Sequence, residues 1–227
     1  MKVVAVRPSN FTTRLVVLVL TVAILAGLLA AFVVGFVLKG PPPLSATANA
    51  GGLGVSIHLE TVADIADAIA FPRPDDPHPD WVSYLPTTIF HVPANSVVTL
   101  SIDQEDGASG LRNPFWAEAR GIIGGKFHMT YFDDNGAPQV GDFAALDDAS
   151  TLAHSFAIPE LGVFVPLQGI NDAAPAGSHN EITFSFKTGK AGIYHWQCFV
   201  PCGAGTIYGN GGPMQTFGYM TGFVVVQ

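Results

Sequence analysis

The hydrophobic pattern separates an apolar N-terminal segment from a long region of short, alternating runs. Residues 15–38 form an uninterrupted stretch of 24 uncharged and mainly apolar residues. A helix of that length rises about 36 Å, which is enough to cross the roughly 30 Å hydrocarbon core of a bilayer with some tilt. The stretch therefore predicts one transmembrane helix.

Charges on either side of this helix predict its orientation. Lys2, Arg7 and Arg14 precede it and only Lys39 follows closely, so the N-terminus is expected in the cytoplasm. A cleaved signal peptide is the alternative, because Ala-Asn-Ala at residues 48–50 has the small-x-small form of a cleavage site. The apolar run is longer than the about 7–15 residues of a signal-peptide core, which favours a retained, single-pass anchor in the cell membrane.

A stretch rich in Pro, Ala, Ser and Gly separates this anchor from the rest of the chain. We predict a cytoplasmic N-terminus over residues 1–14, a transmembrane helix over 15–38, a linker over 39–52 and one extracytoplasmic domain over 53–227. A domain of that size can bury a hydrophobic core.

Apolar residues that alternate with polar ones predict β-strands in this domain. Residues 96–103 and 181–187 alternate most cleanly. Further strands are expected at residues 87–92, 127–132, 152–158, 193–198 and 219–226. The apolar spacing over 59–70 predicts a short helix, and the Gly- and Asp-rich segments 103–126 and 133–150 are interpreted as insertions between strands. Short strands separated by Gly, Pro and Asn turns predict a mainly β protein, a Greek-key β-sandwich.

Candidate metal ligands lie in the second half of the domain. Of the only two cysteines, Cys198 ends a predicted strand and Cys202 follows it; His154 lies within another strand, Met214 comes shortly before the last one and Met220 lies near its start. One His, one or two Cys and a Met, brought together from separate loops, form the donor set of a copper electron-transfer site. In an oxidising compartment the cysteines could instead form a disulfide, and the sequence leaves both outcomes open.

These motifs resemble the cupredoxin superfamily, in particular the copper-binding domain of cytochrome c oxidase subunit II. Residues 154–162, His-Ser-Phe-Ala-Ile-Pro-Glu-Leu-Gly, are similar to the family segment that carries a His ligand. Residues 192–203, Gly-Ile-Tyr-His-Trp-Gln-Cys-Phe-Val-Pro-Cys-Gly, are similar to the segment that carries two copper-bridging cysteines. The resemblance implies a cupredoxin-like fold and a copper site with four candidate ligands: His154, Cys198, Cys202 and Met214.

The chain departs from the family pattern at two ligand positions. Thr206 stands where the family has a second His, and Gly209 where it has a Met. The family's backbone-carbonyl ligand falls at Val200, where any side chain is compatible with it. Because a hydroxyl is a poor copper donor beside thiolate and imidazole, we expect a single copper, or another His in the missing place, or no metal.

The other histidines could supply the missing imidazole only if the fold brings one of them near. His195 precedes Cys198 by three residues, an odd separation that points it to the opposite face of a strand. His91 and His128 lie on early predicted strands. Three more are expected in solvent-exposed segments: His58, His78 and His179.

The charge of the predicted domain bears on its partners. Four of the ten Lys and Arg residues precede Gly40, so six remain against 18 Asp and Glu, a formal charge of −12. Such a surface disfavours nucleic acid; it suits a basic soluble electron donor or serves solubility alone. The predicted function is a membrane-anchored subunit of a respiratory or other copper-linked oxidoreductase complex, which passes electrons to integral membrane subunits. The alternative is a metal-free cupredoxin that acts as a structural or docking subunit.

Overall fold

A computed structural model describes six stretches of the chain: residues 10–34, 44–45, 55–62, 81–202, 213–215 and 217–227. The chain divides into two compact units, Met1–Lys39 and Gly40–Gln227. Helix α1, Phe11–Phe32, belongs to the first unit, and the second contains twelve described β-strands, β1 to β12.

Helix α1 is uncapped by side chains and mainly apolar. It begins at Phe11, four residues before the predicted start, and residues 33 and 34 continue it as a wider π-helical turn. Residues 35–38 of the predicted span lie outside the described residues. Within α1, Thr13–Phe32 is long and apolar enough to cross a membrane, and no part of its apolar window is buried in the protein. The helix is therefore a candidate membrane span rather than a helix of a domain core.

The second unit consists of two six-stranded sheets. The first sheet has the order β1 (Leu44–Ser45), β4 (Ile89–Val92), β12 (Thr221–Val226), β11 (Gly192–Gln197), β8 (Leu152–Ile158), β9 (Val163–Gln168). The second has the order β3 (Ser83–Leu85), β2 (Val55–Val62), β5 (Val97–Gln104), β10 (Asn180–Lys187), β6 (Phe127–Phe132), β7 (Pro138–Phe143). Neighbours are antiparallel except in the pairs β1–β4, β12–β4 and β2–β5.

The alternation of apolar residues explains how the second sheet contributes to the core. On β5 and β10 every second residue is buried. Three buried pairs lie in register across these strands: Ile182 with Ile102, Phe184 with Leu100, and Phe186 with Val98. Strand β8 of the first sheet is buried along its whole length and β9 along most of it. The prediction of a mainly β sandwich preceded by one apolar helix is therefore confirmed.

Two local predictions were wrong. Residues 59–62 belong to β2 and not to a helix, because β2 pairs with β5 on one side and with β3 on the other; tertiary pairing outweighs the helical spacing of a few apolar residues. Residues 63–70 of that predicted helix lie outside the described residues. The segment 133–150 is more than an insertion, because it contains β7, which forms a hairpin with β6.

Strand order brings the predicted ligands to one part of the core. Strands β8 and β11 are neighbours, and Gln197 at the end of β11 pairs with Ala157 of β8. Strand β12 pairs with β11 along its whole length. His154 on β8 therefore lies close to Cys198, which directly follows β11, although the two residues are far apart in sequence.

Candidate metal centre

His154, Cys198 and Cys202 converge in the core. Their side chains are only 2%, 0% and 5% exposed, and their potential ligand atoms all lie within 4.8 Å of one another. The two sulfur atoms are 3.4 Å apart, and both cysteines are free thiols rather than a disulfide. The structure thus brings together three of the four predicted ligands.

The chain after β11 holds Cys198 through its backbone. The Cys198 N–H donates to the carbonyl of Met220 at 2.9 Å, and the Met220 N–H donates to the carbonyl of Pro213 at 3.2 Å. The chain then turns back, so that the carbonyl oxygen of the buried Val200 lies 3.5 Å from Cys198 Sγ. The predicted carbonyl-ligand position therefore lies beside the first sulfur.

Ser155 connects this loop to β8. Its backbone N–H donates to Cys198 Sγ at 3.4 Å, and its hydroxyl lies 3.9 Å from the same sulfur. The same hydroxyl oxygen accepts a hydrogen bond from the Phe199 N–H at 2.9 Å, and the Ser155 carbonyl accepts one from the Tyr84 hydroxyl at 3.2 Å. Hydrogen bonds to a sulfur favour its ionised form, so Ser155 both places and stabilises the Cys198 thiolate.

The His154 ring has one nitrogen bound and one free. Its Nε2 is 2.9 Å from Asp106 Oδ2, whereas Nδ1 is buried without a hydrogen-bond partner. Asp106 was not predicted to belong to this site. With Asp103 and Glu105 it looks like an ordinary solvated acidic cluster, and 48 residues separate it from His154 in sequence. No local signal in the sequence marks this pairing, since only the topology of the sheets creates it.

Without a metal, the electrostatics of the three groups favour a thiolate next to an imidazolium, and a metal ion would replace the proton on Nδ1 of that imidazolium. Burial opposes the charged imidazole, but the hydrogen bond with Asp106 and the nearby Cys198 sulfur raise the pKa of His154 to about 9. Burial likewise opposes a charged Cys198, yet the Cys202 thiol and His154 lower its pKa well below the usual value. The pKa of Cys202 is raised by its hydrogen bond to Cys198 and by burial. Cys198 is thus the thiol prepared to act as a metal-binding thiolate.

The fourth predicted ligand lies at the margin of this core. Met214 belongs to the short 3₁₀ turn Pro213–Gln215 and is a partly buried residue that packs against the core containing both cysteines. Its role as a ligand stays a prediction. Thr206 and Gly209, the two positions that depart from the family pattern, lie outside the described residues.

Among the residues that the structure describes, no second imidazole joins the group. His195 Nε2 instead lies 2.6 Å from Thr221 Oγ1, and its ring packs beside Phe223. Other described histidines are near carboxylates outside the group: His128 with Asp142, and His58 and His179 with Asp103. His78 lies outside the described residues.

Aromatic side chains surround the strand end that carries the first cysteine. Trp196 is fully buried and stacks on Phe156 with ring centroids 5.1 Å apart. The ring of Tyr84 meets it edge-on at 4.9 Å, and the indole Nε1–H donates to the Thr88 carbonyl at 2.8 Å. Such packing holds the preceding strand rigid and excludes water from one side of the centre.

The three residues fit a soft metal ion. A buried nitrogen without a partner costs about 1–3 kcal/mol, and a metal ion would supply the partner that His154 Nδ1 lacks. Two thiols and one imidazole are donors that select copper or zinc over magnesium or calcium. The donor set therefore agrees with the copper expected from the motifs.

Known proteins resemble the chain only distantly. No protein-family model and no curated protein sequence matches the chain. Among solved structures, the chain is similar to auracyanin A, a blue copper protein from Chloroflexus aurantiacus, with 12% identity over 77% of this chain and 99% of that chain and a TM-score of 0.31. It is similar to rusticyanin from Thiobacillus ferrooxidans, with 13% identity over 87% and 91% and a TM-score of 0.31.

A third similar structure is a chain of a heme-copper terminal oxidase dimer, with 12% identity over 96% of this chain and 100% of that chain and a TM-score of 0.30. At these TM-scores the likenesses carry no argument, and the functional argument rests on the geometry of His154, Cys198 and Cys202. The cupredoxin-like character predicted from the motifs agrees with the two-sheet architecture that carries these residues.

Proposed function

We propose that the chain is a membrane-anchored, cupredoxin-like electron-transfer subunit with a copper site formed by His154, Cys198 and Cys202. One observation carries the proposal: His154, whose Nδ1 is buried without a partner, and two unlinked thiols offer ligand atoms within 4.8 Å of one another. A protein core has no structural need for such a group, since burying unsatisfied polar atoms costs stability. Met214 is the candidate for a fourth, weak ligand.

The residues around the site have distinct roles in this proposal. Bound copper would supply a centre that takes up and gives away one electron. His154 Nδ1 and the cysteine sulfurs would hold it, and the Ser155 N–H would keep Cys198 in place through its 3.4 Å contact. The Val200 carbonyl, already 3.5 Å from that sulfur, is a further oxygen donor within reach.

The proposal includes one copper ion rather than two. Thr206 occupies the sequence position of an imidazole ligand in the family that the motifs resemble, and the described part of the chain contributes no other imidazole to the group. Two thiolates, one imidazole and a weak sulfur are enough for a mononuclear site. We therefore expect at most one tightly bound copper per chain.

The anchor and the charge indicate the setting of this subunit. The apolar window of α1 is unburied, and an apolar helix without protein cover is stable in lipid. With Lys2, Arg7 and Arg14 before the helix, the N-terminus would be cytoplasmic and the β-domain extracytoplasmic. The partners we propose are integral membrane subunits of a larger oxidoreductase complex and a basic soluble electron donor attracted by the acidic domain.

Copper loading of the full chain in detergent tests the proposal. The thiols are reduced, Cu(I) is added without oxygen, excess metal is removed, and the sample is oxidised before copper content and optical spectrum are recorded. We expect up to one copper per chain and an intense thiolate-to-copper absorption that disappears in Cys198→Ser and weakens in His154→Ala. His128→Ala, which alters an exposed histidine paired with Asp142, is the matched control and should keep the colour.

Two results would contradict copper electron transfer. A colourless chain whose cysteines have formed a disulfide would support the alternative, a metal-free structural or docking subunit. That alternative is favoured by Thr206, which stands where the family has a second His. A chain that retains zinc in preference to copper under the same conditions would indicate a structural metal site instead, because zinc has no redox chemistry.

A further inference from the structure

The contact between His154 and Asp106 links the candidate centre to the protein surface. The imidazole is 2% exposed and the carboxylate 33%, and His154 Nε2 and Asp106 Oδ2 are 2.9 Å apart. A carboxylate oxygen only accepts hydrogen bonds, so Nε2 must carry the proton of this bond. The other nitrogen, Nδ1, is buried without a hydrogen-bond partner, and it is therefore the ring nitrogen left free for a metal ion in the group that His154 forms with Cys198 and Cys202.

Asp106 is itself held in place from several directions. Its Oδ1 accepts the Gly107 N–H at 2.7 Å. Its backbone carbonyl accepts the Ile170 N–H at 2.9 Å and the side-chain amide of the fully buried Gln104 at 2.9 Å. Each carboxylate oxygen thus has its own donor, and the backbone beneath is fixed, so the group cannot turn away from His154 without losing bonds.

We infer that Asp106 is a positioning residue of the metal centre: it fixes the ring orientation and tautomer of His154 so that Nδ1 is the nitrogen presented to the metal. This inference rests on the proposed function. A carboxylate that accepts the second N–H of a ligating imidazole orients the ring and strengthens its metal-binding nitrogen, and loss of such a partner typically weakens metal binding about 10–100-fold. In a site with one imidazole, the orientation of that ring matters more than in a site with two.

Asp106→Asn is the sharpest perturbation, because it preserves shape and removes one acceptor. Asp106 accepts from two N–H donors, one at each oxygen, whereas an amide offers one oxygen and one NH₂ group. If the amide oxygen stays with Gly107, its NH₂ faces His154 Nε2 and favours the ring proton on Nδ1, where it competes with the metal and weakens metal binding. If the amide turns over, the Gly107 N–H loses its acceptor instead.

A matched control is present elsewhere in the chain. His128 Nδ1 and Asp142 Oδ1 are 2.8 Å apart on the β6–β7 hairpin, with both side chains more than half exposed. Asp142→Asn therefore removes a carboxylate from a His–Asp pair that lies outside the proposed centre. It should leave Cu(I) binding unchanged.

Two measurements on the full chain in detergent test the inference. The first is proton–nitrogen NMR of the metal-free chain with ¹⁵N-labelled histidine. We expect a slowly exchanging Nε2–H signal from His154, assigned by its loss in His154→Ala, whether or not Nδ1 also carries a proton. The second is Cu(I) affinity by competition with a coloured Cu(I) chelator, which should fall about 10–100-fold in Asp106→Asn and stay unchanged in Asp142→Asn.

The outcomes separate this inference from the proposed function. If the wild type binds Cu(I) and Asp106→Asn binds it equally well, the positioning role is overturned while the copper site stands. If the wild type binds no Cu(I), the proposed function fails. The Nε2–H signal alone then decides whether Asp106 fixes the orientation and tautomer of the His154 ring. The absence of that signal in the folded wild type overturns the inference even if Asp106→Asn does not fold.

Discussion

Gly222→Ala tests whether the core beneath the candidate centre is packed as described. Gly222 lies on β12 opposite Trp196 of β11, and a Cβ at this position would overlap the carbonyl oxygen of Thr88. That oxygen accepts hydrogen bonds from Trp196 Nε1–H at 2.8 Å and from the Phe223 N–H at 3.0 Å. Because the conflicting atom belongs to the backbone, no side-chain rotation can relieve the overlap.

The expected loss of stability follows from this geometry. Either β4 moves away from β12, or the bond between Trp196 and Thr88 breaks. Overpacking a core costs about 1–3 kcal/mol, and a buried indole N–H without an acceptor costs about 1–3 kcal/mol. The free energy of unfolding should therefore fall by about 1–3 kcal/mol, measured by urea unfolding of the detergent-solubilised chain with tryptophan fluorescence.

Gly192→Ala on β11 is the matched control. A Cβ there meets nothing nearer than a ring carbon of Tyr194 at 3.8 Å, which is ordinary contact. Removing a glycine from a strand should then leave stability unchanged or raise it by up to about 1 kcal/mol. If Gly222→Ala is as stable as Gly192→Ala, the described packing of Trp196 against Thr88 is wrong. The rigid support that this packing gives to Cys198 would then be wrong as well.

Three further predictions concern the hairpin, the core and the membrane. Hydrogen bonds from the Ala137 and Asn135 N–H groups lower the pKa of Asp133. The stabilising contribution of the Asp133 carboxylate is therefore present above the unfolded pKa of about 3.9 and is lost as pH falls through the folded pKa. Between about pH 5 and pH 3, the melting temperature of Asp133→Asn should therefore change less than that of the wild type. Trp196→Phe should lower the free energy of unfolding by about 1–2 kcal/mol through loss of the bond to Thr88, measured by circular dichroism in urea. Protease added outside intact cells should digest the β-domain and spare an N-terminal tag; the reverse pattern would contradict the topology.

His154, Cys198 and Cys202 could be singled out from the sequence because each lies within a short continuous motif. Residues 192–203 combine a strand with both cysteines, and residues 154–162 place the histidine on another strand. Alternation likewise identified β5 and β10, where every second residue is buried. Local patterns of this kind are sufficient when one face of a strand is covered and the other is not.

Other features were hidden because they depend on contacts distant in sequence. Strand β9 is buried at nearly every position and β7 is an exposed edge strand, so neither alternates. Residues 59–62 of β2 have the apolar spacing of a helix, and only the pairing of β2 with β5 shows that they form a strand. Asp106 resembles a solvated turn residue in sequence, and only the neighbouring loops bring it to His154.

X-ray absorption at the copper edge, on the full chain loaded with copper and freed of excess metal, tests the central claim most directly. We predict both sulfur and imidazole nitrogen in the first coordination sphere, with fewer sulfur ligands in Cys198→Ser and the imidazole lost in His154→Ala. Copper surrounded by oxygen and nitrogen alone would show metal held by exposed histidines such as His58 and His128, which are 61% and 55% exposed. That result would contradict a buried thiolate–imidazole copper centre.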